Sequence, residues 1–144
     1  MIEIQNSRVT SEERREVGSA MRRGARQQCP ACGNGRLYDG YLEVAEHCTS
    51  CGEALHHHRA DDAPPYFTIF IVGHIVIAGV LALERAYAPD SWVHAAIWVP
   101  LTLALSLWFL PRVKGALVGL QWALRMHGFG GPENEAAIPG EPKV

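Results

Sequence analysis

The sequence predicts a membrane α-helical fold, in which two helices cross a bilayer as a hairpin and a small cysteine-containing module precedes them. Three observations predict it. All four cysteines lie in two C-x-x-C pairs separated by fifteen residues. Two runs without Asp, Glu, Lys or Arg, 66–83 and 92–110, are each long enough for a membrane-spanning helix. Twelve of the thirteen Lys and Arg residues lie outside the segment between these runs, where Arg85 alone is basic.

The N-terminal segment, 1–28, is expected to be a basic helix or a flexible segment. The stretch Thr10–Glu13 has the i, i+3 spacing of a capping box, which places a helix start there. Arg22, Arg23 and Arg26 form a basic cluster just before the first cysteine. Either this cluster is a solvated helix face, or it contacts anionic lipid headgroups or a partner.

Residues 29–55 are predicted to form a zinc-ribbon-like module. A C-x-x-C turn brings two sulfurs to one ion, and the glycine after each pair permits the sharp backbone path. Two such turns provide four thiolates at the corners of a tetrahedron, the arrangement that structural Zn²⁺ prefers. The predicted metal ligands are Cys29, Cys32, Cys48 and Cys51.

Three alternatives to zinc remain at this point. Iron in a rubredoxin-like site is one, although the separation between the two cysteine pairs is short for that fold. Two disulfides and unmodified thiols are the others, and disulfides require an oxidising compartment.

Two short strands are predicted inside the module, Arg36–Tyr38 and Tyr41–Val44, joined at Asp39-Gly40. Asp-Gly is a favoured hairpin dipeptide. So short a unit cannot bury enough apolar surface to fold alone. The ion is therefore expected to contribute much of its folding free energy.

The neck, 56–65, combines three histidines with two carboxylates. Together they are a candidate second metal site or partner site: His56, His57, His58, Asp61 and Asp62. The alternative is structural. One of the aspartates caps the following helix, and two prolines occupy its first turn, where the missing N–H is harmless.

The two apolar runs predict transmembrane helices over 66–86 and 91–110. Pro100 lies within the second and is expected to kink it. The asymmetry of Lys and Arg places both termini in the cytoplasm and the connecting loop outside. The cysteines then lie in a reducing compartment, which favours metal ligation over disulfides.

Two histidines lie within the apolar runs. His74 is eight residues into the first run, and His94 is near the start of the second. An ionisable residue inside a membrane is by default a functional candidate, and His74 is the stronger of the two because it lies deeper. The alternative for both is a neutral imidazole that hydrogen-bonds a neighbouring helix for packing.

Residues 111–129 predict an amphipathic helix that lies along the cytoplasmic membrane interface. Its apolar face comprises Val113, Leu117, Leu120 and Leu124.

The same segment contains a small-xxx-small pair, Gly115 and Gly119, which permits close helix contact. Residues 130–144 are rich in Gly, Pro and Glu and are predicted to be a disordered tail.

Six segments, read together, resemble one family. They are Arg23-Gly24, CPACGNGRLYDGYL from Cys29, CTSCG from Cys48, HHHRADDAPPYF from His56, Gly73-His74, and PRVKGALVGLQWALRMHGF from Pro111. The family comprises small bacterial inner-membrane proteins of domain of unknown function 983, and the resemblance covers about residues 22–129. It implies two membrane spans behind a cytoplasmic zinc-ribbon-like segment. Genes of this family often lie beside genes for cytochrome c oxidase subunits and assembly factors, and the resemblance implies such a link here.

We therefore expect a membrane-anchored zinc-ribbon accessory protein of the bacterial inner membrane. It would assist the assembly or regulation of a respiratory complex such as cytochrome c oxidase. Its expected partners are the bilayer and a membrane protein, either a respiratory subunit or an assembly factor, with a homo-oligomer as a further arrangement. The alternative function is metal handling, in which the neck passes zinc or copper to or across the membrane.

Two function classes have little support in the sequence. A net charge of −2 gives no argument for nucleic-acid binding. No nucleophile arrangement and no phosphate-binding glycine loop indicates an enzyme, so no catalytic residue is predicted.

Overall fold

A computed structural model describes residues 15–59 and 62–129. Within these ranges the helices are α1 (Val17–Ala25), α2 (Ala63–Tyr87), α3 (Ser91–Ala123) and a 3-10 turn at Met126–Gly128. Three predictions fall outside the described residues: the capping box at 10–13, the role of Asp61, and the tail at 130–144.

Helices α2 and α3 are long and apolar enough to cross a membrane. They are joined at residues 88–90 and lie side by side. Their large apolar side chains mostly face outward; Ile69, Phe70 and Leu103 are 69%, 65% and 61% exposed. Apolar surface of this extent is suited to lipid or to another membrane helix.

Helix α3 does not end at residue 110. The prediction that a separate helix begins at residue 111 is therefore wrong. The helix continues through Pro111 to Ala123. Pro111 has no N–H to bond the carbonyl of Leu107, and the hydroxyl of Tyr41 donates to that carbonyl instead. A donor from elsewhere in the chain thus replaces the one that proline removes.

The length of α3 exceeds what a bilayer requires. Its 33 residues extend over about 50 Å, whereas the hydrocarbon core of a membrane is about 30 Å thick. The apolar run ends at residue 110, so residues 111–123 continue beyond it; we call them the α3 extension. The cysteine module (29–55) and α1, together called the head, pack against this extension.

Helix α1 crosses the α3 extension at small residues. A Cβ atom on Gly24 would overlap the carbonyl of Gly115, and a Cβ atom on Gly115 would overlap the carbonyl of Gly24. Gly119 lies similarly close to the carbonyl of Ala20. Contact between two helix backbones at this distance leaves no room for side chains. The prediction that Gly115 and Gly119 permit close helix contact is confirmed.

The packed face of the α3 extension differs from the predicted apolar face. Gly115, Val118, Gly119 and Ala123 are buried, whereas Leu124, assigned to the apolar face, is 53% exposed. The prediction chose the face by the helical spacing of apolar residues, and of these Leu117 does pack against the core. The structure buries small residues there because α1 approaches to backbone contact.

The two strands predicted in the module are not formed as strands. Within the described residues the β-structure is three isolated antiparallel bridges: Gln28–Arg36, Tyr38–Val44 and His47–Ala54. The predicted two-residue turn at Asp39-Gly40 is wrong in its position. Tyr38 pairs with Val44 and the N–H of Asp39 donates to the carbonyl of Glu43 at 3.0 Å, so the loop is 40–42. The paired segments are too short to extend further, since each leads directly into a cysteine turn.

A small core joins the head to the α3 extension. Its buried members are Cys29, Leu37, Ala45, Cys48, Leu55, Val118 and Phe129. Two of these are cysteines of the predicted metal site, and one belongs to α3. The position of the metal site is therefore tied to the position of the helix.

Candidate metal centre

The two C-x-x-C segments form the same turn twice. The N–H of Gly33 donates to the carbonyl of Cys29 at 2.8 Å, and the N–H of Gly52 donates to the carbonyl of Cys48 at 2.9 Å. Gly33 and Gly52 have φ angles of 73° and 76°, a left-handed conformation that favours glycine. The glycine after each cysteine pair thus has the role that the sequence predicts.

The four sulfurs converge on one point. All four Sγ atoms lie within 4.8 Å of one another. The Sγ atoms of Cys29 and Cys51 are 3.8 Å apart, and those of Cys32 and Cys48 are 3.7 Å apart.

These spacings fit a metal ion and not a disulfide. Bonds of about 2.3 Å from zinc to four sulfurs place neighbouring sulfurs about 3.8 Å apart in a regular tetrahedron. A disulfide needs sulfurs about 2.0 Å apart, and the four cysteines are free thiols. The four thiols therefore have the chemistry and the geometry to hold one ion: Cys29, Cys32, Cys48 and Cys51. Such an ion would act as a Lewis acid that cross-links the two turns.

Local electrostatics differ among the four thiols. Backbone N–H groups of Asn34 and Gly35 lower the pKa of Cys32 to about 6. Burial raises the pKa of Cys29 and of Cys51. Cys32 therefore ionises more readily than Cys29 and Cys51, and these two thiols lose their protons when a cation compensates the charge.

Arg23 supports the first turn, a role that the sequence did not indicate. Its guanidinium donates to the carbonyl of Ala31 at 2.9 Å and to that of Pro30 at 3.3 Å. Neither the solvated face nor the contact with lipid or a partner describes this role of Arg23. Its neighbours Arg22 and Arg26 are exposed. The signals for Arg23 in the sequence were its position a few residues before a C-x-x-C pair and its place in the Arg23-Gly24 segment of the family resemblance.

Gly35 supports the site through the absence of a side chain. A Cβ atom at this position would overlap the Sγ atom of Cys48. The second turn can approach the first only because this position is a glycine.

The hairpin between the turns is bonded to α3. The hydroxyl of Tyr38 donates to the carbonyl of Pro111 at 2.8 Å, and the Nζ of Lys114 donates to the carbonyl of Leu42 at 2.8 Å. With the bond from Tyr41 to Leu107, these contacts span two helical turns. Burial raises the pKa of Tyr38, so its hydroxyl remains a donor.

A second set of contacts fixes the other side of the head. The indole N–H of Trp122 donates to the carboxylate of Glu53 at 2.9 Å. The guanidinium of Arg15 lies 4.2 Å from the Trp122 ring centroid and donates to the carbonyls of Trp122 and Phe129 at 2.8 and 2.9 Å. The head is therefore held on the α3 extension from both sides of the cysteine site.

The neck histidines are not gathered with Asp62. The His56 ring lies 4.0 Å from the His57 ring and 5.5 Å from the His47 ring. His58 is hydrogen-bonded locally, its Nδ1 3.2 Å from the carbonyl of Leu55. Among the described residues, the cysteines are the one group of metal-ligating side chains that converge. The second metal or partner site in the neck stays a prediction.

The first turn of α2 contains Pro64 and Pro65, as predicted. Asp62 occupies the position before the helix, but its side chain makes no capping hydrogen bond. The capping interpretation is therefore wrong for Asp62.

The two histidines of the apolar runs have different surroundings. His74 is exposed, and its Nδ1 lies 2.7 Å from the carbonyl of Phe70 on the same helix. His94 is half-buried, and its Nε2 lies 3.0 Å from the carboxylate of Glu84 on α2. His94, the weaker candidate from sequence, is thus the histidine that hydrogen-bonds the neighbouring helix.

The family comparison covers most of this architecture. The family model described as protein of unknown function (DUF983) matches residues 38–122. The chain belongs to this family. The matched range includes the hairpin, the second cysteine turn, both apolar helices and the α3 extension of this DUF983 member, while Cys29 and Cys32 precede it. No curated protein and no solved structure matches the chain.

Proposed function

We propose that this chain is a membrane-anchored zinc-ribbon accessory protein that assists the assembly or regulation of a respiratory membrane complex such as cytochrome c oxidase. In this proposal it has no catalytic activity. The ion gives the head its shape, and α3 connects that shape to the membrane. The two spans then present apolar surfaces to the helices of the partner.

The observation that carries the proposal is the bonding of the head to α3. Tyr38, Tyr41 and Lys114 join the hairpin to the helix. On the other side of the head, Trp122 of the helix bonds Glu53. A metal-dependent fold placed at a fixed height and rotation on a membrane helix is suited to recognising a partner at the membrane surface. A transient metal carrier has no need of such attachment.

The choice of zinc follows from the ligand chemistry and the compartment. Four thiolates at tetrahedral spacing form a closed site with no open coordination position, which is typical of structural zinc. The distribution of Lys and Arg favours cytoplasmic termini, where thiols stay reduced.

The spans supply the surface for a partner. Few of their side chains are buried within the chain itself, and Trp92, Leu103 and Leu107 are each more than half exposed. Helices of another membrane protein can cover such surfaces by packing. The family resemblance implies the class of partner, a respiratory subunit or assembly factor.

The partner is tested by cross-linking in native membranes. Tagged full-length protein is purified after cross-linking, and recovered proteins are identified by mass spectrometry. The parent is expected to recover respiratory subunits or assembly factors, and Cys48→Ser is expected to lose them. Thr49→Ala, an exposed neighbour, is the matched control and is expected to behave as the parent.

Two results would overturn parts of the proposal. Recovery of no respiratory subunit or assembly factor by the parent would remove the partner assignment. Equal recovery by Cys48→Ser and the parent would remove the role of the metal-bound head.

Metal analysis of the same preparation separates the metal-handling alternative. A single zinc ion that is lost in Cys48→Ser and retained in the variant with His56, His57 and His58 changed to Ala supports a structural ion. A second ion that disappears with the histidines supports metal handling through the neck.

A further inference from the structure

A groove lies between α2 and α3 in the half of the hairpin away from the cysteines. Its volume is about 410 Å³, within the range of about 300–1,000 Å³ that small-molecule sites occupy. It opens sideways, and its walls are almost entirely apolar. Residues that line it include Val80, His94, Ala95, Trp98, Val99 and Leu103.

The floor of the groove is the ring of Trp98. This ring covers Gly79 on α2, where a Cβ atom would overlap it. Thr102, which also lines the groove, donates its hydroxyl proton to the carbonyl of Trp98 at 2.6 Å. Its hydrogen-bonding capacity is therefore directed into its own helix, and the groove is left apolar along its length.

A chain of polar side chains leads from the groove towards the connecting loop, from Trp98 and His94, which line the groove, to Glu84. The indole N–H of Trp98 donates to Nδ1 of His94 at 3.2 Å. Because Nδ1 accepts, the proton of the neutral imidazole is on Nε2, from which it is donated to the Glu84 carboxylate at 3.0 Å. The acidic group at this end is the Glu84 carboxylate, whose side chain is 56% exposed, and the next residue, Arg85, is basic and exposed in the same turn of α2.

The length of the groove matches one leaflet of a bilayer. From His94 to Leu103 the helix rises about 14 Å, close to half of the hydrocarbon thickness of about 30 Å. Glu84 is in the last turn of α2, which ends at Tyr87. The charge therefore lies at headgroup depth, and the apolar part extends towards the membrane midplane.

We propose that this groove binds a phospholipid with an amine headgroup, such as phosphatidylethanolamine. One acyl chain lies along Ala95, Val99 and Leu103, and the ammonium group pairs with the carboxylate of Glu84. The commitment to an amine headgroup follows from the succession of acidic Glu84 and basic Arg85 in the last turn of α2, which suits a headgroup with an ammonium group and a phosphate. The commitment to an acyl chain follows from the length of the groove. This inference rests on the proposed crossing of the membrane by both spans.

The test is native mass spectrometry of the full-length protein released from nanodiscs with equal amounts of phosphatidylethanolamine and phosphatidylglycerol. The parent is expected to retain one phosphatidylethanolamine molecule in preference to phosphatidylglycerol. Ala95→Phe fills the groove and is expected to reduce retention about tenfold. Ala96→Phe is the matched control, because Ala96 is exposed on the same helix outside the groove.

The headgroup preference is tested by a second pair of variants. Glu84→Gln is expected to reduce the preference for phosphatidylethanolamine about fivefold, as an exposed charge pair allows. Asp90→Asn, an exposed carboxylate of the connecting loop, is expected to leave it unchanged.

Several results would overturn the inference. They are equal retention by Ala95→Phe and Ala96→Phe, equal preference for the two headgroups in the parent, or a dimer that carries no lipid. Failure of the parent to enter nanodiscs would instead contradict the membrane anchoring of the proposed function, so the two failures are distinguishable.

Discussion

The two parts of α3 have opposite surroundings within one continuous helix. In 91–110 the large apolar side chains point outward; Leu103 is 61% and Leu107 is 58% exposed. In the α3 extension, Val118 is fully buried and Gly115 is buried against α1. The first part is built to face lipid or another membrane helix, and the second is built to hold the head.

This difference shows that side-chain size is related to burial in opposite ways in the two parts of α3. Large apolar residues mark the surface that is left for the membrane or a partner. Small residues mark the surface that the chain uses itself, because backbone contact with α1 requires them. Polar bonds are also concentrated on the second part, where Lys114 and Trp122 join the head to the helix.

The largest expected effect comes from removing one ligand. Cys29→Ser is expected to reduce zinc from one ion per chain to nearly none and to unfold the head, since structural zinc contributes about 10 kcal/mol or more. Metal analysis and limited proteolysis check this, with cleavage expected in 29–55 and not in the spans. Ala31→Ser in the same turn is the control and should retain the ion. A protease-resistant head in zinc-free Cys29→Ser protein would contradict the role assigned to the metal.

The next effect tests the contact between α1 and the α3 extension. Gly24→Ala places a methyl group against the carbonyl of Gly115 and is expected to cost about 1–3 kcal/mol. The rate of zinc transfer to a chelating dye should rise about tenfold. Gly18→Ala, on the same helix with open space around it, should leave the rate unchanged or lower it. Equal rates for both variants would show that the backbones are further apart than described.

A somewhat smaller effect is expected at the support of the first turn. Arg23→Met removes the bonds to the carbonyls of Pro30 and Ala31 and is expected to accelerate zinc transfer about fivefold to tenfold. Arg22→Met, an exposed neighbour, should not change the rate. If both variants accelerate zinc transfer equally, the positive charge of the cluster retains the ion, and the bonds from Arg23 to the two carbonyls do not.

The smallest effect concerns the proline inside α3. Tyr41→Phe leaves the carbonyl of Leu107 without its donor and is expected to lower the free energy of unfolding by about 1 kcal/mol. In the background of Pro111→Ala, a backbone N–H is again available to Leu107, so the same change should cost almost nothing. Thermal unfolding of the four proteins gives the coupling, with Tyr66→Phe, which is 73% exposed, as control. Additive costs would contradict the donor replacement.

The cysteine site and the two apolar helices were predictable because their signals are local. Four cysteines with fixed spacing and a following glycine define a metal turn without reference to the rest of the chain. A long run without charge likewise defines a candidate span.

The remaining features depend on contacts distant in sequence. The donor that allows α3 to pass Pro111 is Tyr41, and nothing in the 111–129 segment reveals it. The buried face of the extension follows from the approach of α1, so the spacing of apolar residues alone misassigned Leu124. Arg23 was grouped with its neighbours because charge alone does not reveal a bond to a carbonyl.

The central claim is that the metal-bound head and the α3 extension form one unit, distinct from the spans. Hydrogen–deuterium exchange of the full-length protein in nanodiscs, before and after zinc removal, tests it most directly. We expect zinc removal to expose the amides of 29–55 together with those of 111–123, while 66–86 and 91–110 stay protected. If 111–123 stays protected after 29–55 has lost its protection, the head and the α3 extension are not one unit.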